Sequence, residues 1–179
     1  MTADNSPIAN PPYRRIAAEE AFCPPDMLDI YKKLLVEKKV DDPGFNTMFG
    51  FYLSSASERA QIIANQLGDL GEQRIAHMDA AGVDHAVLAL TSPGVQIMEK
   101  ADAVAYAIYA NDWLVDNMKA NPTRFSGLAA VAPQDPVAAA KEIERAKALG
   151  LKGVIINSHT HHEYLDDPKF WPIFEAAEK

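Results

Sequence analysis

The chain has 179 residues, a formal net charge of −8, 48% hydrophobic and 23% charged residues. That balance is ordinary for a soluble globular protein, and no apolar run reaches the ~18 residues of a membrane span. Scattered Lys and Arg in an acidic chain lack the clustering that a nucleic-acid backbone requires, and a single cysteine, Cys23, excludes an intrachain disulfide.

The N-terminus Met1-Thr2-Ala3-Asp4-Asn5-Ser6 has neither the basic nor the apolar region of a signal peptide, so a cytoplasmic location is expected. Residues 1–13 are polar with three prolines and read as a mobile arm, leaving 14–179 as the domain. Arg15 to Phe22 reads as a strand. After Pro24-Pro25, Met27, Leu28, Tyr31, Leu34 and Leu35 recur at helical spacing. Residues 41–54 are aromatic and glycine-containing, and are expected to form a long functional loop. Ser55 and Glu58 have capping-box spacing, which predicts one helix running through Ile62, Leu67, Leu70, Ile75 and Met78 to a cap at Gly82.

His85 to Leu90 is apolar along nearly its whole length, as a strand of a parallel sheet should be. Residues 101–119 return to a helical period, and Asn121-Pro122 ends that helix before a strand at Gly127 to Ala132. A helix from about Val137 to Leu149, a fourth strand Gly153 to Ile156, a polar loop Asn157 to Asp167 and an amphipathic stretch from Pro168 complete the pattern. Strands alternating with helices predict a parallel α/β architecture, and barrel and doubly wound sheet both fit that alternation. No G-x-G-x-x-G or P-loop run follows any of the strands. Read as a (β/α)₈ barrel of about 250 residues, the chain traces about four units and is expected to stop before strand five.

Parallel α/β proteins carry their chemistry at the C-terminal strand ends, here Glu19 to Phe22, Thr91-Ser92, Pro133-Gln134 and Asn157-Ser158-His159. Alternation sends one of Glu19 and Glu20 to each face, as a hard metal ligand or as a carboxylate paired at the rim. Arg59, at a helix start, is either a bidentate carboxylate clamp or an ordinary surface arginine. The run His159-Thr160-His161-His162 is expected to be solvated surface, and His77 and His85 to be satisfied by packing. Cys23 is expected to be a small buried thiol.

The runs RIAAEEAF (15–22), FGFYLSSASERA (49–60), LALTSPGVQ (88–96), VAPQDP (131–136) and INSHT (156–160), in that order, resemble the N-terminal half of the amidohydrolase-related metal-dependent decarboxylases. The resemblance is strongest to the branch that acts on 5-carboxyvanillate. It implies a (β/α)₈ barrel with one divalent metal, Mn or Zn, at its C-terminal mouth, and non-oxidative loss of CO₂ from a hydroxylated aromatic acid. It further implies that Glu19 is the metal ligand of the first strand, that Arg59 reaches the aromatic acid and that Thr91 lines the same mouth. Many relatives carry His-x-His where this chain has Glu19-Glu20-Ala21, so position 21 supplies no ligand.

The family's other ligands, two histidines and an aspartate, come from strands five, six and eight, so no residue of this chain is expected to be catalytic and the chain alone is expected to be inactive. A full-length homo-oligomer with a small aromatic carboxylic acid as its partner follows from the same resemblance. A superfamily hydrolase of a C–C or C–N bond, and a non-catalytic fragment, are the competing readings.

Overall fold

The computed structural model describes residues 13–179; the N-terminal arm, save Tyr13, lies outside the described residues. β1 (Ile16–Phe22), β2 (His85–Leu90) and β3 (Phe125–Gly127) form a parallel sheet in that order, and β4 (Ala129–Ala130) pairs in parallel with β5 (Val154–Ile155). Strands adjacent in space are adjacent in sequence throughout, without the reversal of order that marks a doubly wound sheet. The arrangement is that of a barrel wall.

The expected strand at 127–132 is divided because it changes partner. Leu128 N donates to Leu88 O at 2.8 Å, and the next amide, Ala129 N, donates to Gly153 O at 2.8 Å. Beyond that point the N–H and C=O of Ala130 have no strand on the β2 side. Asn111, fully buried on α5 (Lys100–Ala120), meets both, accepting from Ala130 N at 2.8 Å and donating to Ala130 O at 2.9 Å. Unpaired backbone groups in a core are costly, and a side-chain amide here stands in for a strand.

The helices bury the other side of this wall. Ala86, Leu88 and Leu90 of β2 join Phe22, Leu114 and Phe125 in the main apolar cluster. A second cluster joins Val131 to Ile143 of α6 (Pro136–Ala148) and to Phe170 and Ile173 around α7 (Trp171–Glu178). α6 begins at Pro136 because the Asp135 carboxylate accepts from Ala138 N at 3.1 Å and Pro136 needs no amide partner.

Residues 41–54, expected as a loop, fold into α2 (Pro43–Ser54). The Asp42 side chain caps Phe45 N at 2.7 Å, and Pro43 occupies the first turn. What holds this helix is aromatic: the rings of Tyr31, Phe45 and Phe49 lie within 5.5 Å of one another, and all are buried. Each such pair contributes about 1 kcal/mol beyond its buried area. Tyr31, on α1 (Pro25–Glu37), also donates its hydroxyl to Gly94 O at 2.9 Å, tying α1 to the turn after β2.

The single helix expected from Ser55 is two, α3 (Glu58–Leu67) and α4 (Glu72–Ala81), broken at Gly68 to Gly71. Ser55 is no capping-box residue. Its hydroxyl accepts from Ser57 N, and Ser57 stands at the N-cap without a side-chain bond. Gly82 does cap α4 at φ 68°, where a Cβ would run into the Arg15 guanidinium. Within the expected loop 157–167, β6 (His159–Thr160) and β7 (Glu163–Tyr164) make a short antiparallel hairpin whose tip residues, His161 and His162, are left-handed.

Candidate active-site mouth

β1 carries a bulge between Ala17 and Glu20 that separates the two glutamates. The register pairs Ala17 with Ala86 and Glu20 with Leu88, so three residues of β1 span two of β2. Ala17 packs on the helix-side core, and Glu20 pairs at 3.7 Å with Arg74 of α4. The extra residue leaves Glu19 exposed and free of the helix layer. Arg74 is engaged, donating to the carbonyls of Gln66, Asp69 and Ala21. Its burial lowers the guanidinium from its ordinary value, while Glu20 and Asp69 oppose that shift. Glu20 is therefore the paired carboxylate of the two, and Glu19 is exposed with no ion pair among the described residues.

Thr91 follows β2, half-buried, with its amide donating to Phe22 O at 2.9 Å, so the exits of β1 and β2 are stitched together. Arg59 is exposed on the first turn of α3, with no ion pair among the described residues. None of Glu19, Arg59 and Thr91 lines the main cavity.

That cavity, of about 770 Å³, opens between the first turn of α2, the exit of β2 and the exit of β5, and reaches Ser92, the residue after Thr91. Its polar framework is organised by Gln96, which is 5% exposed. The Gln96 amide donates to His159 O at 2.9 Å and to Thr160 Oγ1 at 2.7 Å, and its oxygen accepts from Asn157 N at 2.6 Å. Asn157 Nδ2 donates to Pro93 O at 3.0 Å, and Gln134 Nε2 donates to Val95 O and Met98 O, both at 2.9 Å. Three strand exits are thus locked around one turn, residues 93–98.

The sequence pointed to Gln134, Asn157 and His159 as strand-end residues but missed Gln96 and Asp42. The dipeptide Asp42-Pro43 is an N-cap and first-turn signal that could have revealed the latter. Of the run expected to be solvated, His161 and His162 are exposed, though His161 Nε2 lies 3.1 Å from Met98 O and both line the cavity, whereas His159 is half-buried and Thr160 is buried because Gln96 holds its hydroxyl. His85 is satisfied by Thr123 O and Ser126 Oγ. His77, expected to pack, is exposed on α4 because its helix turns that face to solvent. Cys23 is buried, and burial pushes its thiol up to about 12.

Among the described residues no group of three or more His, Cys, Asp or Glu side chains converges as a metal site requires. Glu19 is one hard oxygen donor where such sites need about three protein ligands. The donor set within this span therefore does not make a metal centre by itself. Among the described residues no helix is long and apolar enough to cross a membrane.

Residues 44–179 match the amidohydrolase family, described as Amidohydrolase. The chain belongs to that family. Among amidohydrolase-fold structures, a 5-carboxyvanillate decarboxylase from Novosphingobium aromaticivorans, complexed with manganese and 4-hydroxy-3-methoxy-5-nitrobenzoic acid, superposes with a TM-score of 0.90 at 48% identity, over 98% of this chain and 50% of that one. The 5-carboxyvanillate decarboxylase of Sphingomonas paucimobilis gives a TM-score of 0.81 at 40% identity, over 92% and 49%. A γ-resorcylate decarboxylase of Rhizobium radiobacter is 31% identical over 173 residues, 92% of this chain and 47% of the relative. This amidohydrolase chain spans about half the length of the relatives it matches, and its strands form about four units of their (β/α)₈ barrel.

Proposed function

We propose that this chain is the first half of the barrel, residues 14–179, of a metal-dependent decarboxylase acting on a hydroxylated aromatic acid such as 5-carboxyvanillate. The observation that carries the reading is the 48% identity maintained over 98% of the chain with a 5-carboxyvanillate decarboxylase. The bulge after Ala17, which frees Glu19 while Arg74 holds Glu20, supports Glu19 as the metal ligand of the first strand.

In this reading Arg59 clamps the substrate carboxylate through paired N–H donors, and the Thr91 hydroxyl lines the ring's site. The bond between ring carbon and carboxylate breaks, CO₂ leaves, and a proton takes its place on the ring. Neither the proton donor nor a complete ligand set is among the described residues, so no step at the metal is drawn from them. Manganese, held by the homologous structures, is the expected ion, and zinc is the alternative. A cytoplasmic homo-oligomer is the expected state of the full-length enzyme.

The test expresses the longest reading frame containing these residues, loads it with manganese and offers it 5-carboxyvanillate. CO₂ release with a one-to-one yield of vanillate is expected. No CO₂ from 5-carboxyvanillate or γ-resorcylate, together with hydrolysis of a C–N or C–C bonded substrate, would replace this reading with that of a superfamily hydrolase.

A further inference from the structure

The turn after β2 is held by side chains from three other parts of the chain. Asn157 Nδ2, beyond β5, donates to Pro93 O at 3.0 Å; the Tyr31 hydroxyl, on α1, donates to Gly94 O at 2.9 Å; Gln134 Nε2, beyond β4, donates to Val95 O at 2.9 Å. Three successive backbone carbonyls are thus each taken by a side chain. Fixing that many side chains on one short turn costs conformational freedom, and rigidly held loops are where binding groups are carried.

The Tyr31 bond passes directly to Thr91. Gly94 N donates to Thr91 O at 2.8 Å, and Thr91 N donates to Phe22 O at 2.9 Å. Gly94 sits at φ 60°, in the left-handed region, and a glycine there is restrained by its hydrogen bonds, having no side chain to restrain it. Tyr31 is fully buried, and burial, with a smaller push from Cys23, holds its phenol well above the ordinary value, so the hydroxyl keeps the proton it donates. At the far end of this chain of bonds, the Thr91 hydroxyl makes one contact among the described residues, a long one of 3.5 Å to Ser92 O, and is left free to meet a ligand.

From this geometry we infer that Tyr31 is a positioning residue for substrate recognition: from behind the mouth, its hydroxyl fixes Gly94 and with it the aim of the Thr91 hydroxyl at the aromatic acid. This role rests on the decarboxylase reading, in which Thr91 lines the ring's site. Tyr31 does not line the cavity and acts through the backbone. Its ring and its hydroxyl have separate tasks, the ring packing against Phe45 and Phe49 while the hydroxyl holds the turn.

Tyr31→Phe separates them, since it removes the hydroxyl and leaves the ring trio packed. Hydrogen exchange is read at single amides of the longest reading frame containing these residues, without substrate. In Tyr31→Phe the Gly94 and Thr91 amides are expected to exchange about three- to tenfold faster, the worth of one hydrogen bond. Unchanged protection at Thr91 would overturn the positioning role. In the manganese-loaded enzyme, KM for 5-carboxyvanillate is expected to rise about three- to tenfold in Tyr31→Phe with kcat little changed, as for a lost binding contact. In a Thr91→Val background, Tyr31→Phe is expected to add nothing to KM, because the group it aims is gone. An unchanged KM in Tyr31→Phe, or an equal rise in both backgrounds, would leave Tyr31 a merely structural residue and overturn the inference. If the wild-type enzyme releases no CO₂, the decarboxylase reading fails by itself, and exchange at Thr91 still decides the positioning.

Discussion

Replacing Asn111 by Ala removes the group that stands in for a strand beside β4. Three hydrogen bonds go: Ala130 N to Oδ1 at 2.8 Å, Nδ2 to Ala130 O at 2.9 Å, and Nδ2 to Glu142 Oε1 at 2.7 Å. Glu142 keeps two bonds of 2.8 Å from Arg145, so its charge stays paired. The cost falls on the peptide of Ala130, which is 4% exposed and loses a donor and an acceptor together. At about 1–3 kcal/mol for each buried group left unpaired, the expected loss is about 2–6 kcal/mol. Against a typical total of about 5–15 kcal/mol, that is a large fraction of the fold's stability. Urea denaturation followed by far-ultraviolet circular dichroism of the full chain reads this loss, with an unchanged m-value. Asn111→Asp is a sharper variant. It retains the bond from Ala130 N, but loses the donor and sets a second carboxylate against Glu142, so it should be at least as destabilised as Asn111→Ala. A loss below about 1 kcal/mol in Asn111→Ala would refute the strand-substitute reasoning and imply that water takes over both groups.

Lys100, followed by the Ala138 amide, holds the Asp135 carboxyl below the usual carboxylate range. A depressed value means that the stabilisation is present at neutral pH and lost as pH falls below about 4. Asp135→Ala should therefore cost about 1 kcal/mol at pH 7 and progressively less as pH falls below the ordinary carboxylate range, which thermal melts across that range would check. Cys23, with its thiol pushed up to about 12, should not react with a disulfide reagent at pH 8 in the native state and should react fully in urea. In the full-length enzyme, Glu19→Gln should lose manganese on dialysis, read by metal analysis. Arg59→Ala should raise KM about tenfold or more, with Arg59→Lys recovering only part of it.

Much of this fold was legible because its strands are short apolar runs bounded by Gly, Pro and polar residues; β2 has the limits that its apolar stretch suggests. α2 was not legible, because Phe, Tyr and Gly in a row satisfy no helical period, and its stability comes from ring contacts with Tyr31 rather than from an amphipathic stripe. The break between α3 and α4 was hidden because the apolar residues Ile62, Leu67, Leu70, Ile75 and Met78 continue across Gly68 to Gly71, although α3 buries Ala60 and Leu67 and α4 buries Met78. At the mouth, alternation assigns two faces without saying which glutamate takes which; the family resemblance singled out Glu19, and the bulge supplies the physical difference between it and Glu20. Gln96 closes the run 88–96 but had no role assigned by the sequence: it becomes a hub only when the segment after β5 folds back onto the turn after β2.

The ring trio of Tyr31, Phe45 and Phe49 also bears on how this protein can diversify. It fastens α2 from behind, while Pro43, Thr47 and Met48 on the same helix look into the cavity. Phe45 both anchors and lines, but Thr47 and Met48 line the cavity from outside the ring trio, so mutation at those two can reshape the cavity while the trio still holds its wall. A library confined to Thr47 and Met48 should yield mostly folded variants, whereas one that includes Phe45 or Phe49 should not. The helix is a facing that can be exchanged on a fixed frame, and the shape of the cavity can change there at low risk to the barrel.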